Sequence, residues 1–222
     1  MYSSHKRSVA GLGTVVGMLG AFLVLIVGAF HHVEAASFEG LGDLPGGSHG
    51  SYPIAISPDG TVVVGQGNSV CPYSPISCND AYRWTSATGI MSIGDLPGGH
   101  FLSQANAVST NGDVVVGEAE SSLAGREAFR WTMSGGMVPL VPPPAGSFLD
   151  PSNRYSGASG VSGDGTIVVG ESQSPTGIQA YQWTALHGMV GLGYLSGASS
   201  GNSSATGISE DGSIIVGYSN GI

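Results

Sequence analysis

A short motif occurs four times in this sequence at nearly constant spacing. Each copy is an alternating segment that reaches an Asp-Gly or Asn-Gly pair and continues into a strand rich in valine or isoleucine. The glycines of these pairs are 52, 53 and 47 residues apart. A fixed period of this kind indicates a repeat protein. The four copies are Ala55–Gly65, Ala107–Gly117, Gly160–Gly170 and Gly207–Gly217.

Each repeat of about fifty residues is predicted to hold two hairpins. Asp-Gly and Asn-Gly between apolar runs are the strongest short hairpin signal, because both central positions can adopt positive φ. The uninterrupted valines after the turn predict a strand that is buried on both faces, as in stacked sheets. The second hairpin begins with an aromatic strand, whose copies are residues 81–85, 128–132 and 180–184.

The aromatic strands use all three tryptophans of the chain, Trp84, Trp131 and Trp183. Residues two apart on a strand point to the same face. Each tryptophan is therefore expected to share a face with the aromatic residue two positions before it, and to pack between adjacent sheets. We interpret these side chains as core and not as a binding site. The partner aromatics are Tyr82, Phe129 and Tyr181.

Four short strands per repeat, with one aromatic mark per repeat, predict an all-β, β-propeller-like array, and a solenoid of stacked hairpins is the alternative. The strand that ends the repeat occurs four times, first at Phe38–Leu44, and so do both strands of the first hairpin, whereas the aromatic strand occurs three times. Residues 36–222 are thus expected to form about 3.75 repeats of ~50 residues with the last one incomplete. Either four blades close imperfectly, or the sequence is a piece of a longer propeller, which is the interpretation that we favour.

The N-terminal residues 1–35 are predicted to be a signal peptide for export. Lys6 and Arg7 precede an uncharged stretch, residues 9–30, and Ala35 offers a small residue for cleavage. The apolar run is also long enough to span a bilayer, so an uncleaved membrane anchor is the alternative. Both alternatives place the remainder of the chain outside the cytoplasm, secreted or at the cell surface.

Charge excludes one class of partner. Without residues 1–35 the chain keeps four arginines, no lysine and 14 acidic residues, a net charge of −10. Affinity for nucleic acid comes largely from lysine and arginine that displace counterions from phosphates. Nucleic-acid binding is therefore not expected.

The only two cysteines, Cys71 and Cys78, are predicted to form a local disulfide, as expected in an exported protein. They lie in the stretch 66–80, which has 15 residues where the next two repeats have 10 and 9. A bridge would close this enlarged loop and contribute on the order of 2–3 kcal/mol in the chain-entropy account. A zinc site is not expected, because no nearby histidine or further cysteine completes a tetrahedral set.

The aromatic strands resemble the HAF-type extracellular repeat, which is named for a His-Ala-Phe tripeptide ahead of a Trp-Thr pair. Residues 188–189, 41–47 and 55–65 are similar to further elements of that repeat. The naming histidine is absent from every copy, so no role of that histidine is carried over. The resemblance implies an exported bacterial repeat protein and brings no catalytic residues. The positions of the naming histidine hold Asp80, Glu127 and Gln179.

Several residues are candidates for a chemical site. His49 and His100 follow Pro-Gly-Gly loops at the same edge of successive repeats and could bind a metal on one rim. Asp43 and Asp95 recur at that loop, and a further set of carboxylates recurs at the hairpin turn, with Asn111 in the second copy. Calcium is one interpretation of these carboxylates, and the one that we favour is that they stabilise turns. The turn carboxylates are Asp59, Asp164 and Asp211.

One further motif, Gly197 to Gly201, has the spacing of a serine-hydrolase nucleophile elbow around Ser199. That motif needs a strand before it and a helix after it, and the sequence that follows begins no helix. We interpret it as a loop.

No catalytic, cofactor-binding or metal-binding residue is predicted. The sequence favours a non-enzymatic binding or structural module of the bacterial exterior, with a surface protein or glycan as partner. The alternative is a glycan-acting hydrolase or lyase on a propeller scaffold. Such an enzyme would need charged side chains from different repeats to converge in one cleft.

Overall fold

The computed structural model describes residues 38–70, 78–122, 125–140, 155–195 and 200–221. These residues form an all-β structure of fourteen strands, and no α-helix occurs among them. Glu39–Ile222 is one compact unit, and Met1–Phe38 is a second unit of which only Phe38 is described. The predicted signal peptide therefore lies outside the described residues.

The strands follow one another as antiparallel groups of four. Group 1 consists of β1 (Ser51–Ile56), β2 (Val62–Ser69), β3 (Cys78–Thr85) and β4 (Gly89–Gly94). Group 2 consists of β5 (Gly98–Val108), β6 (Val114–Ser121), β7 (Gly125–Thr132) and β8 (Gly136–Pro139). Group 3 consists of β9 (Ser156–Val161), β10 (Ile167–Ser174), β11 (Gly177–Thr184) and β12 (Gly188–Gly193). Group 4 has the two described strands β13 (Gly201–Ile208) and β14 (Ile215–Gly221).

Hydrogen bonding joins these groups into two sheets. One has eight strands, β1 to β8, and the other has six, β9 to β14; neither is closed. Within each sheet, short parallel contacts connect one group to the next. Asn79 of β3 pairs with Leu102 of β5, and the start of β11 pairs in the same way with the start of β13. The all-β class predicted from the sequence is confirmed.

The hairpin turns have a different geometry from the two-residue turn that the Asp-Gly pairs predict. In the first copy Gly60 N donates to Ser57 O at 2.8 Å, and Ser57 N donates to Val62 O at 2.8 Å. The turn therefore spans Ser57 to Gly60, with the glycine as its last residue at φ 73°. The Asp lies one position earlier and serves as a hydrogen-bond acceptor. Both bonds recur from Ser109, Ser162 and Ser209.

A β-bulge in the first strand of each group explains the glycine that ends each valine run. In group 2 the register shifts between Ala105 and Ala107, which leaves Asn106 as the extra residue. The bulge brings the carbonyl of Gln104 so close to Gly117 that a Cβ there would lie 1.9 Å from that oxygen. The corresponding distances at the other three glycines are all 2.0 Å, at Gly65, Gly170 and Gly217.

Alternate valines of the second strand pack against different neighbours. In β2, Val62 and Val64 belong to a core that also contains Phe129 and Trp131 of group 2. Val63 points to the opposite face and packs with Tyr82. Group 2 repeats this arrangement against group 3, where Val114 and Val116 share a core with side chains such as Tyr181, Met189 and Trp183. The groups are therefore stacked face to face, with apolar cores between them.

The aromatic strands place their rings in these cores. Tyr82, Phe129 and Tyr181 are completely buried. Trp131 is buried as well, whereas Trp84 and Trp183 are partly exposed at the edges of their clusters. The tryptophans lie directly across from the central valines of the neighbouring strands; these pairs are Val63–Trp84, Val115–Trp131 and Val168–Trp183.

One expected strand is absent from its place. Residues 38–44 were predicted as the first copy of the strand that ends each repeat, but no strand is formed there. Leu41 and Leu44 nevertheless pack on Tyr82 and Trp84. The apolar contacts of that segment are thus made without the backbone pairing that defines a strand.

A serine that we did not single out from the sequence links each group to the next. Ser103 Oγ accepts a hydrogen bond from Ala81 N at 2.8 Å and donates to Gly94 O at 2.8 Å. The first of these bonds recurs from Ala128 N to Ser156 Oγ and from Ala180 N to Ser203 Oγ, both at 2.9 Å. Because each bond joins the first strand of one group to the third strand of the group before it, these serines hold adjacent groups together.

We expect Ser103→Ala to destabilise the fold by about 2 kcal/mol, because it leaves the buried Ala81 N–H without its acceptor. Urea unfolding of the variant and the parent protein measures this difference. Ser86→Ala, at an exposed turn residue, is the control and should have almost no effect. Equal stability losses in the two variants would show that the serine bridge does not stabilise the fold.

The hairpin turns of groups 2, 3 and 4 meet at one place. Thr110 N donates to Gly163 O at 3.1 Å, and Gly163 N donates to Glu210 O at 2.8 Å. Thr110 Oγ1 also donates directly to Glu210 Oε1 at 3.1 Å, across one hundred residues of sequence. Groups 2 and 4 are therefore in contact through their turns although group 3 lies between them in the chain.

The bulge residues connect the first strands at the same side of the groups. Asn106 Nδ2 donates to Ala158 O at 2.9 Å, from β5 to β9. Ser159 Oγ donates to Ala205 O, from β9 to β13. Both donors are the extra residues of their bulges, so the bulges also connect successive groups.

Candidate functional site

A polar cleft of about 50 Å³ lies where β2 and β3 of group 1 meet β5, β6 and β7 of group 2. Its lining combines amides, a carboxylate, a guanidinium and a serine hydroxyl, so it offers both donors and acceptors. Leu102 is its one apolar residue. The polar lining residues are Gln66, Asn79, Ser103, Gln104, Glu118 and Arg126.

The repeat itself positions the polar side chains of the second strands. Gln66, Glu118 and Glu171 each follow the glycine that ends the valine run. Each lies directly opposite a small alanine of the aromatic strand, as Glu118 does with Ala128. The small neighbour leaves space for a long polar side chain at a half-buried position.

An ion pair forms one wall of the cleft. Arg126 Nη1 lies 2.6 Å from Glu118 Oε1, and the Glu118 side chain is 15% exposed whereas that of Arg126 is 54% exposed. Arg126 is paired in register with Glu120 across β6 and β7, so its side chain reaches Glu118 diagonally. The pair presents a carboxylate that is mostly buried and a guanidinium that remains accessible to a ligand.

A second hydrogen-bonded pair, Tyr155 with Glu171, lies close to the pair of Arg126 and Glu118. Tyr155 Oη donates to Glu171 Oε1 at 2.8 Å. Burial raises the pKa of Tyr155 well above its ordinary value, and the hydrogen bond to Glu171 and the charges of Glu171 and Glu118 act in the same direction. Tyr155 is therefore a protonated donor at physiological pH. Glu118 Oε2 also lies close to Gly157, 3.1 Å from the place that a Cβ on this glycine would occupy. Gly157 follows Tyr155 by two residues and lies on β9 of group 3.

The turn carboxylates are occupied by their own turns. Asp59 Oδ1 accepts hydrogen bonds from Ser57 Oγ at 2.5 Å and from Thr61 N at 3.0 Å. Asp164 and Asp211 make the same two contacts, and Asn111 Oδ1 does so in the second copy. The serine hydroxyl bond lowers the pKa of all three aspartates, with that of Asp211 at about 2. These contacts agree with a role in stabilising the turn.

The two histidines considered as metal ligands contact different carboxylates. His49 Nδ1 lies 3.1 Å from Asp43 Oδ2, and His100 Nδ1 lies 3.1 Å from Glu120 Oε2. Both side chains are almost completely exposed. Within the described ranges, no group of three or more His, Cys, Asp or Glu residues is arranged to hold a metal ion.

The remaining candidate residues lie partly outside the described ranges. Cys78 is disulfide-bonded at the start of β3, while Cys71, its predicted partner, lies outside the described residues. Ser199 of the elbow-like motif also lies outside them. Gly201, the last residue of that motif, begins strand β13. The helix that a nucleophile elbow requires is therefore replaced by a strand.

Asp95 differs from the other loop aspartates in its titration. Its carboxylate accepts hydrogen bonds from Leu96 N at 2.8 Å and Leu102 N at 3.1 Å. Burial nevertheless raises its pKa from 3.8 to about 6, and the nearby charges of Asp80 and Glu120 contribute in the same direction. Because this pKa is higher in the folded than in the unfolded chain, the contribution of Asp95 to stability is lost as the pH rises through about 6.

We expect the change in unfolding free energy caused by Asp95→Asn to be more favourable at about pH 7 than at about pH 5. At the higher pH the parent protein bears the cost of a charged carboxylate in a buried position, and asparagine removes that cost. Melting temperatures of the variant and the parent at both pH values measure the effect, since the contributions of all other groups cancel in the difference. Asp59→Asn is the matched control, because the partners of Asp59, Ser57 and Thr61, do not titrate. The hydrogen bond from Ser57 lowers the pKa of Asp59, so its contribution to stability is lost only below about pH 4. A pH-independent difference for Asp95→Asn would contradict the assignment.

Glu118 and Arg126 in the cleft, and Tyr155 and Glu171 near it, were not recognised from the sequence. Glu118 and Glu171 could have been found from the alignment of the copies, because both follow the repeated glycine. Arg126 and Tyr155 carry no such signal, since they lie outside the repeated motifs and reach these glutamates only through the strand register and the stacking of the groups.

No protein-family model matches this chain, and a search of curated proteins finds no match. Among the described residues, no helix has the length and apolar character needed to cross a membrane.

Proposed function

We propose that this chain is an exported, propeller-like repeat protein that binds a polar ligand at the bacterial exterior without transforming it. The observation that carries this proposal is the polar cleft between groups 1 and 2. Its amides, hydroxyl and exposed guanidinium are suited to a ligand rich in hydroxyl groups, and a glycan is the ligand class that we favour.

The internal pairing of the carboxylates favours binding over catalysis. Glycoside hydrolysis needs two carboxyl groups that flank the bond to be broken, one of them free to donate a proton. Glu118 is bonded to Arg126 and Glu171 is bonded to Tyr155. Each carboxylate is therefore held by a protein donor, whereas a hydrolase would need one of them free.

Contacts between non-adjacent groups support the propeller-like arrangement over a straight solenoid. Stacked sheets are about 10 Å apart, so groups 2 and 4 of a straight stack would be separated by about 20 Å. Thr110 and Glu210 are hydrogen-bonded to each other, and Gly163 is bonded through its backbone to both. These contacts instead favour groups that radiate from a common axis at their turns.

Two features of the chain support export. The N-terminal residues 1–35 have the charge and apolar pattern of a signal peptide. Cys78 is disulfide-bonded, and disulfides persist mainly in oxidising compartments outside the cytoplasm. The resemblance of the aromatic strands to the HAF-type repeat leads us to propose the same location.

A glycan-acting hydrolase or lyase is the second candidate, and one observation favours it. Glu118 and Arg126 of group 2 lie near Tyr155 and Glu171. Glu171 lies on β10 of group 3, and Tyr155 immediately precedes β9 of the same group. Charged and polar side chains from two groups thus converge, which is what an active site on this scaffold would require.

A glycan array followed by titration calorimetry distinguishes these functions. We expect binding of a polar glycan with no released product, and Glu118→Gln should weaken that binding about tenfold or more, since a hydrogen bond to a charged group contributes about 1.5–3 kcal/mol. Glu39→Gln, at an exposed glutamate outside the cleft, is the control. Product release that Glu118→Gln abolishes would establish the enzyme instead. Absence of binding to every glycan would contradict the proposed ligand class.

A further inference from the structure

A cavity of about 400 Å³ lies between the internal groups 2 and 3. Group 2 contributes Arg130 of β7, and group 3 contributes residues of its two hairpin turns together with Trp183 of β11. The polar cleft between groups 1 and 2 shares none of these residues. Pockets that bind small ligands are commonly about 300–1,000 Å³, so this cavity is large enough to admit one sugar ring.

Arg130 brings to this cavity a positive charge that no described carboxylate neutralises by direct contact. Its Nε and Nη2 both donate to Gly165 O, at 3.4 Å each. None of the ion pairs between described residues includes Arg130. Asp164, on the same turn as Gly165, instead accepts hydrogen bonds from Ser162 and Thr166. The half-buried guanidinium is therefore available to pair with an anion, and its planar donors match the geometry of a carboxylate.

Trp183 leaves part of its surface accessible at the same cavity. The matching Trp131, at the junction of groups 1 and 2, is only 6% exposed, whereas Trp183 is partly exposed and lines the cavity. The turns that follow the two tryptophans also differ, because Ala185 of group 3 stands where group 2 has Met133. The face of an indole ring is flat and apolar. Such a surface suits the C–H face of a pyranose ring.

We propose that this cavity binds a uronic acid residue of an acidic glycan. The pyranose ring lies against Trp183, its carboxylate pairs with the guanidinium of Arg130, and its hydroxyl groups face Thr166 and Thr184, which also line the cavity. This site is separate from the polar cleft, and the proposal does not depend on the proposed function.

The charge of the chain makes this recognition depend on a single arginine. Beyond residue 35 the net charge is −10, with only four arginines and no lysine. A surface of that charge does not attract anions in general. Binding of an acidic sugar would therefore not arise from nonspecific attraction, and removal of the Arg130 charge should abolish the preference for the acid.

The test uses matched pairs of small sugars, namely the methyl glycosides of galacturonic, glucuronic and mannuronic acid and the corresponding neutral methyl hexosides. Within each pair only the carboxylate differs, since the neutral sugar has a hydroxymethyl group in its place. NMR titration should show a saturable shift of the Trp183 indole N–H signal with at least one uronide. Its neutral partner should bind at least about tenfold more weakly, because it cannot form the charged pair with Arg130. The Trp183 signal is assigned by its loss in Trp183→Phe.

Two variants copy residues that other groups have at the same repeat positions. Arg130→Gln introduces the residue found at Gln182 of group 3, and it should weaken uronide binding at least about tenfold. Arg83→Gln is the matched control at the junction of groups 1 and 2, where Arg83 Nε donates to Gly112 O at 3.2 Å, and it should leave binding unchanged. Ala185→Met introduces the residue found at Met133, and it should also weaken binding because the longer side chain occupies the cavity.

Several outcomes would overturn the proposal. They are no binding of any of the three uronides, equal binding of a uronide and its neutral partner, and equal binding by Arg130→Gln and Arg83→Gln. A shift of the Trp84 or Trp131 signal in place of that of Trp183 would locate the bound sugar elsewhere and would overturn it as well.

Discussion

Phe129→Ala should destabilise the protein by about 4 kcal/mol, the largest single effect that we expect, because a large buried ring leaves both its transfer free energy and a cavity. Phe129 is completely buried and lies in the core between groups 1 and 2. Its opposite neighbour on β6 is Gly117, which has no side chain with which to fill the space that the ring leaves. Urea unfolding monitored by tryptophan fluorescence measures the change.

The control for this variant is Tyr52→Ala, which removes an aromatic ring on β1 that is 57% exposed. Its effect should stay below about 1 kcal/mol, as is usual for exposed positions. If Phe129→Ala were no more destabilising than Tyr52→Ala, the aromatic strands would not form the cores between groups, and the stacking described above would be wrong.

Gly117→Ala should destabilise the protein by about 3 kcal/mol, at the upper end of what overpacking usually costs. The added Cβ would lie 1.9 Å from Gln104 O and 3.0 Å from Ala105 Cα. Both are backbone atoms of the bulged strand, so no side-chain rotation relieves the contact. Thermal and urea unfolding of the variant measure the loss of stability.

The matched control is Gly207→Ala, in the first strand of group 4. There an added Cβ meets only the side chain of Val216, at the ordinary contact distance of 3.4 Å. Neither glycine has a positive φ, so backbone strain does not distinguish the two positions. A similar, small effect of both substitutions would indicate that the bulge moves easily and does not require glycine.

The sequence predicts those parts of the fold that depend on local side-chain patterns. Alternation around the Asp-Gly pairs located the hairpins, and the spacing of Tyr82 and Trp84 placed both residues in one core. The turn geometry was predicted wrongly, because the serine two residues before the aspartate also takes part. Ser57 bonds to Asp59 and to Val62 N, which stabilises a longer turn than Asp-Gly alone would form.

Contacts that depend on backbone atoms or on distant groups could not be predicted in this way. Gly117 is required by a carbonyl on a bulged strand, and the position of a bulge leaves no signal in side-chain polarity. The Arg126–Glu118 pair depends on the register of β6 and β7. The contact between Thr110 and Glu210 depends on the angle between successive groups, which repeat spacing alone does not determine.

A cross-link between groups 2 and 4 tests the proposed propeller-like arrangement, in which the groups radiate from their hydrogen-bonded turns. In a variant that carries Thr110→Cys and Glu210→Cys, a bifunctional maleimide with a spacer shorter than about 10 Å should join the two positions within one molecule, with each single variant as control. Peptide mapping after digestion identifies the joined fragments. An efficient intramolecular cross-link is the result that we predict, whereas its absence would indicate a straight stack, in which these groups are about 20 Å apart.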